Sequence, residues 1–562
     1  MKCEFCGHDH GNEEEVIFCG NCGAQLSNAP TSTPTRGENR INIDEDAIGV
    51  TEPDKTAPKK RLLKLAMPVV LVIAALLIVI PMLRGPDIFM VKDSINFFSD
   101  GDSVIVSGNN NAKFTINGIM GQWECSMDGS KAVLLTDYDN TAGGILWFVT
   151  TSNYTRIADD VVAFKLADSG DGVVYYTNYD SNNSTASLYL YDTSSKKTTI
   201  ITDEAMYAMY GSSNLNSWVC ISPNGKSVGY AIGDFNYMNP DMTGYVKIDS
   251  KSAERLGNSM FAVAISDGGR YVYYLKAGNE GWGDPSLHVK SGRSENRLVP
   301  SGSLQGVLFA LNKDYSEFLF IVDGRTFLSR KGGERTDISG FAMYDLILPR
   351  GTQTLFVMNA IKVYGVRSFA NTIAIGGGGL EYINKSFETV RIPVSGSGWY
   401  DWVVSKDGKS LLVINAGTLM RLNPTKSDAE INEIAREVRA FVASSDGKTV
   451  YYVNYDGELW CIKGNKRPSR VANYVSADTL ALPYNSSKLF FLADFVQSRG
   501  GELHYSNNGK KSVKITDEVK NVWNTPTSVF YRTIDNDIYR SSGNGKFTLF
   551  QVDIILIPNK IY

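Results

Sequence analysis

Apolar and polar positions fall into three regimes along this chain. The first sixty residues show little apolar periodicity, Leu65 to Leu83 is unbroken by any charge, and beyond residue 95 short aromatic and β-branched segments alternate with polar turns. At 1.5 Å per helical residue, the apolar run from 65 to 83 spans roughly 28 Å, close to the hydrocarbon thickness of a bilayer. Pro68 and Pro81 stand near its two ends. A run of this length without a polar face predicts a transmembrane helix over 62–83 rather than a buried core helix. The long leader before it, and the lack of an A-x-A site after it, argue against a cleaved signal peptide. Lys59, Lys60, Arg61 and Lys64 crowd its N-terminal flank, against Arg84 and Lys92 beyond the other end. The positive-inside rule then keeps the N-terminus in the cytoplasm and puts the C-terminal part outside the cell.

Residues 96–562 repeat. Val174-Tyr175-Tyr176-Thr177-Asn178-Tyr179-Asp180 nearly duplicates Val450-Tyr451-Tyr452-Val453-Asn454-Tyr455-Asp456, and Val272-Tyr273-Tyr274 is a third copy of the core. Before such strands comes a recurring turn: Ser222-Pro223-Asn224-Gly225-Lys226, Ser266-Asp267-Gly268-Gly269-Arg270, Lys406-Asp407-Gly408-Lys409 and Ser445-Asp446-Gly447-Lys448. Asp-Gly and Asn-Gly tolerate the left-handed backbone that tight hairpins need. Turns near 126, 168, 222, 266, 312, 349, 405, 445, 485 and 526 give a mean step of about 44 residues, the period of a four-stranded propeller blade. The fold class is therefore mainly β: a β-propeller of about ten repeat units, in one large ring or two. The strand–turn–strand piece from Asn96 to Gly118 would complete the final blade and remove open edges. Asp428 to Arg439 breaks the pattern; apolar residues at 431, 434, 435 and 438 predict a short helix with Asp428 as its N-cap. The region resembles the WD40-like propellers of periplasmic TolB and of dipeptidyl-peptidase propeller domains, although no signature is complete.

Four cysteines open the chain, Cys3, Cys6, Cys19 and Cys22, in the spacing C-x2-C, twelve residues, C-x2-C. Zn²⁺ favours four thiolates in a tetrahedron, and each two-residue gap lets one turn offer two sulfurs. Gly7 and Gly23 follow the pairs, where haem attachment would need histidine. A ribbon over 1–26 cannot bury a useful core, so the metal would supply most of its folding energy. The reducing cytosol suits such thiolates. These residues resemble the short zinc ribbon that opens many bacterial membrane proteins, a resemblance specific for metal and silent on function. Residues 27–60, rich in Pro, Thr, Asn and acids, read as a flexible polar linker. Asp44-Glu45-Asp46 reads as part of that solvated linker rather than as a docking motif.

Composition then removes candidates. The formal net charge is −4 and no basic stripe is present, against nucleic-acid binding. Gly225-Lys226-Ser227-Val228-Gly229 matches the nucleophile elbow of serine hydrolases, but it coincides with the repeat turn and no helix follows. The Gly-Lys-Ser/Thr triplets at 225, 408 and 447 imitate a P-loop tail without its preceding glycine. Beyond the predicted span there are two histidines, His288 and His504, each read as an ordinary strand residue. Asp137-Tyr138-Asp139-Asn140 and Asp168-Ser169-Gly170-Asp171 could hold Ca²⁺, but turn chemistry accounts for them. Cys125, Cys220 and Cys461 read as small buried apolar residues.

The expectation is a membrane-anchored, non-catalytic binding or sensing protein, not an enzyme. Its extracytoplasmic propeller would meet a protein, peptide or glycan, and the ribbon a cytoplasmic protein. The alternatives are a structural scaffold of a membrane assembly, or a cell-surface hydrolase or lyase marked by acids or His288 and His504 converging in the propeller funnel.

Overall fold

The computed structural model describes residues within 95–552, apart from 109–111, 140–141, 181–182, 208–218, 235–240, 279–280, 302–308, 341–342, 348–353, 358–359, 364–367, 371, 377–378, 393–400, 406–408, 424–430, 484–485 and 526–527. The expected zinc ribbon, linker and membrane span lie outside these residues. Among the described residues no helix is long and apolar enough to cross a membrane.

The repeat turns cut the chain into antiparallel meanders, and together these build a β-propeller. Five of the sheets are four-stranded, such as Met120–Cys125, Lys131–Asp139, Gly143–Thr150 and Tyr154–Val161, in that order. Position within the sheet explains the sequence of each strand. The second strand is covered on both faces by neighbouring sheets, so it reads as a continuous apolar run: Gly172–Asp180 is buried over its first six residues. The last strand is an outer edge and reads polar, as in the exposed start of Lys197–Met206.

The Tyr-Tyr repeat has the same origin. Successive strand residues point to opposite faces, so each tyrosine enters a different core between sheets. Tyr175 packs with Val133, Leu146 and Phe164 on one side, while Tyr176 packs with Val219, Ile221 and Tyr230 on the other. Tyr451 and Tyr452 divide in the same way between the cluster of Leu489 and Phe491 and that of Leu412 and Phe441. Pairs of large aromatics thus bind each meander to its neighbours on both sides; strand pairing adds to this at Ala205 and Ile232, which joins two meanders into one eight-stranded sheet.

Three expectations are corrected. Over the described part of 428–439, from Ile431 onward, no helix forms; Asn432–Ala435 is an outer strand paired with Thr418–Leu422, and Val438–Ala443 starts the next sheet. Glu437, at φ 56°, reverses the chain between them, and that break mimicked helical spacing. The turn expected near 349 lies outside the described residues, and the strand pair that follows it is not the second and third strand of a repeat unit. The hairpin of Thr354–Val357 and Ala360–Val363 is inserted after Met343–Ile347, and its second strand runs parallel to Phe309–Leu311 of the preceding sheet. Finally, among the described residues the first segment does not complete the last sheet through strand pairing. Asn96–Ser99, Ser103–Ser107 and Lys113–Asn117 form their own three-stranded sheet. It closes on the last strands by packing: the Phe98 ring lies 5.6 Å from Phe530 and 5.3 Å from Phe550. Lys113 Nζ donates to the Phe550 carbonyl (2.6 Å), and buried Arg540 donates to that of Gly108 (2.7 Å).

Candidate functional site

Each meander presents two sets of turns at opposite ends of its strands, and the two sets are built differently. At one end, first-to-second-strand turns share a serine that closes the loop on itself. Ser126, Ser222, Ser266, Ser405 and Ser444 each accept, at Oγ, the backbone N–H five residues later, at 2.8–3.1 Å. Asn312 does the same for Glu317 at 2.9 Å. A left-handed residue completes the turn, Gly129, Gly225 and Gly447 among them, which is why glycine recurs there.

These turns bond to one another across sheets. Met127 N–H donates to the Asp168 carbonyl (2.8 Å), Ser169 N–H to that of Pro223 (2.9 Å), and Asn224 N–H to the Asp267 carboxylate (2.8 Å). The Tyr315 hydroxyl reaches Asp168 Oδ2 at 3.1 Å, and Lys131 pairs with Asp171. Burial raises the pKa of Asp267, and the carboxylates of Asp168, Asp249 and Asp314 push it further the same way, against the Asn224 N–H. Among the described residues, no three of His, Cys, Asp and Glu converge as a metal group. Asp139 serves its own loop, accepting from the Ala142 N–H, while Asp137 accepts from the Ile119 N–H on the connection that leads into its sheet. This face is a hub in which turn chemistry holds the sheets together.

The sequence-predicted reactive groups are dispersed. Ser227 is fully buried, and its hydroxyl donates to Asp249 Oδ1 at 3.2 Å, as a strand-entry residue and not as an exposed nucleophile. His288 and His504 occupy equivalent places on the third strand of two different sheets, Gly281–Ser291 and Gly500–Asn507. Each ring stacks on a second-strand aromatic, His288 on Tyr274 and His504 on Phe491. Nε2 of His288 contacts Ser286 Oγ at 3.0 Å, and Nε2 of His504 contacts Glu502 at 3.0 Å. Burial lowers the pKa of His288, partly offset by the Glu295 carboxylate. The two histidines do not converge on a funnel. Cys125, half-buried rather than buried as expected, and Cys220, buried, lie on first strands leading into the turn; desolvation pushes the Cys125 thiol up to about 12 and that of Cys461 to about 11. Cys3, Cys6, Cys19 and Cys22 lie outside the described residues.

The opposite face carries what the sequence reading missed. There the connection between sheets bends back through a left-handed residue whose carbonyl accepts an N–H from the next second-to-third-strand loop. Ser259 accepts from Ala277, Glu437 from Tyr455, Tyr474 from Asp494 and Glu518 from Ile534, at 2.9–3.0 Å. All four acceptors have φ between 52° and 58°. Along part of this rim, large apolar side chains stand in solvent: Tyr455 is 64 % exposed, Tyr474 71 %, Phe495 36 % and Val496 43 %. The backbone stitches them into one arc, since Val475 N–H donates to Gly457 and Asp494 N–H to Tyr474. Tyr455 also leans over Gly417 of the preceding sheet, where an added Cβ would lie 3.1 Å from its hydroxyl. Glu437, Asp456, Asp494 and Glu518 are exposed on the same loops.

No protein-family profile and no curated protein matches the chain. Solved structures do. A eukaryotic initiation factor matches at 8 % identity with a TM-score of 0.37, over 78 % of this chain and 98 % of its own. Prolyl endopeptidases match at 11 % and 0.31, over 62 % of this chain and 55 % of theirs. The tricorn protease matches at 10 % and 0.23, over 83 % and 62 %. Likeness at this level carries no conclusion about activity, substrate or partner. Two of the three are peptidases, and the expectation that this chain is not an enzyme is withdrawn.

Proposed function

We propose that the chain is a membrane-anchored recognition protein whose propeller lies outside the cell and meets a partner through one end of its sheets. The observation that carries the reading is the difference between the two ends. One is consumed by bonds between turns, while the other leaves tyrosines and carboxylates in solvent on loops fixed by backbone hydrogen bonds. Rigid loops bearing aromatic side chains suit recognition because little side-chain freedom is lost on binding. The anchor is the apolar run Leu65 to Leu83, oriented by Lys59, Lys60, Arg61 and Lys64. Cys3, Cys6, Cys19 and Cys22 would hold a structural Zn²⁺ on the cytoplasmic side, giving a cytoplasmic protein a folded knob to grip. The period is that of either one large ring or two, and the packing of the first sheet against the last supports one.

Protease added to sealed native vesicles of known orientation tests this reading. In right-side-out vesicles the propeller epitope should become accessible while an N-terminal epitope stays protected. Protection of both epitopes, or the reverse pattern, removes the proposal.

A further inference from the structure

We infer that the arc of Tyr455, Tyr474 and Phe495 is the docking site for a cationic peptide segment of a partner protein. This rests on the recognition reading above and names the chemistry of that site.

The first argument is the placing of the aromatics. The two most exposed large apolar side chains of the described residues, Tyr474 and Tyr455, fall together with Phe495 and Val496 on two adjoining loops and the connection between them. Tyr474 is the most informative. It holds φ 55°, where Ser259, Glu437 and Glu518 stand at equivalent joints. A left-handed conformation is unfavourable for a bulky residue. Neither backbone preference nor core packing accounts for tyrosine there, because the ring is in solvent.

The second argument is charge. Glu437, Asp456, Asp494 and Glu518 stand exposed around the rings, without a salt-bridge partner among the described residues. Of the nearby cations, Arg436 is held by Glu433 and Arg470 by Glu458, while Arg439, Arg499 and Lys520 are exposed, so the unbridged carboxylates remain in excess. Exposed tyrosine faces attract guanidinium and ammonium groups, and carboxylates at their edge add to this. The same charges repel an anionic lipid surface or a nucleic acid. A neutral glycan would use the rings and gain nothing from four carboxylates, so the pattern favours a peptide rich in Arg or Lys. The arc reaches three consecutive sheets, through the lean of Tyr455 over Gly417, and so offers an extended segment several anchoring points.

The experiment uses the full chain in nanodiscs and a fluorescein-labelled Arg/Gly-repeat peptide, read by anisotropy. Controls are a Glu/Gly-repeat peptide and a neutral oligosaccharide. Binding of the Arg peptide alone is expected, weakening at least about tenfold between low and high salt. Tyr474→Asn should lower affinity on the order of tenfold while the melting temperature holds or rises, since Asn tolerates the left-handed backbone. Tyr455→Ala should act in the same direction. Equal binding of the Glu peptide, binding of the oligosaccharide instead, no binding at all, or indifference to Tyr474→Asn would each overturn the inference. If the vesicle orientation holds while the peptide fails, this inference falls and the recognition reading survives.

Discussion

Three tyrosines of the repeated pairs, Tyr273 and Tyr451 as first members and Tyr176 as a second member, should respond in opposite ways to loss of a hydroxyl. The Tyr273 hydroxyl donates to the Tyr315 carbonyl at 2.9 Å inside the core. That of Tyr451 donates to the Ser487 carbonyl (2.9 Å) and accepts the Gly509 N–H (2.7 Å), tying one sheet to the next. The Tyr176 hydroxyl is buried with no partner at all. Replacing a partnered tyrosine with phenylalanine leaves a desolvated backbone group unpaired, at about 1–3 kcal/mol. Tyr273→Phe should therefore cost about 1–2 kcal/mol. Tyr451→Phe should cost a similar amount: it loses two bonds, but Ser487 has access to water. Tyr176→Phe removes a buried hydroxyl that gains nothing from the fold, so it should be neutral or stabilise by about 1 kcal/mol. Guanidinium unfolding of the full chain, followed by tryptophan fluorescence, measures all three under one condition. If Tyr176→Phe destabilises as much as Tyr273→Phe, volume rather than hydrogen bonding governs these positions, and the reasoning fails.

Other outcomes follow from the same structure. Burial holds His288 below its ordinary pKa, so protons bind more readily to the unfolded chain. The stability this confers is present above the ordinary imidazole pKa and is lost as pH falls through the depressed value. His288→Phe should accordingly flatten the fall in melting temperature from pH 7 to 5; an unchanged slope would exclude His288 as a cause. Gly172→Ala should cost about 1–3 kcal/mol, because its Cβ would sit 2.2 Å from the Gly225 carbonyl oxygen. At Gly292 nothing lies within 4 Å and only its φ of 60° resists, so Gly292→Ala should cost about 1 kcal/mol; equal melting temperatures would contradict the contrast. Cys125 and Cys461, with thiols raised to about 12 and 11, should resist alkylation at pH 8 until the protein is unfolded. Elemental analysis of the purified full chain should find about one zinc per chain, lowered by Cys6→Ser.

The propeller was legible because its signals are local and repeated. Ser-x-Asp-Gly turns and Tyr-Tyr strands each follow from one physical demand, a left-handed turn or a strand buried on both sides. The readings that failed lacked such a demand. Ile431, Ile434, Ala435 and Val438 match helical spacing only because one strand stops and another starts across Glu437. The hairpin at 354–363 has the composition of a repeat strand pair, and nothing in it encodes parallel pairing with Phe309–Leu311. The rim was hidden for a different reason. Ser259, Glu437, Tyr474 and Glu518 share a backbone conformation but no side-chain chemistry, so no residue pattern marks the joint. The absence of a catalytic motif likewise did not decide the question of an enzyme.

The seam between the first and last sheets has a consequence for synthesis. Phe98 and Ile105 leave the ribosome early, yet their core partners Trp523, Phe530, Ile538 and Phe550 emerge more than four hundred residues later. Until then one flank of the nascent domain stays greasy and uncapped, and contacts of such high order assemble slowly. A stop codon anywhere before that final stretch would strand a nearly finished molecule with an adhesive edge, and aggregation rather than simple loss of activity would be its fate.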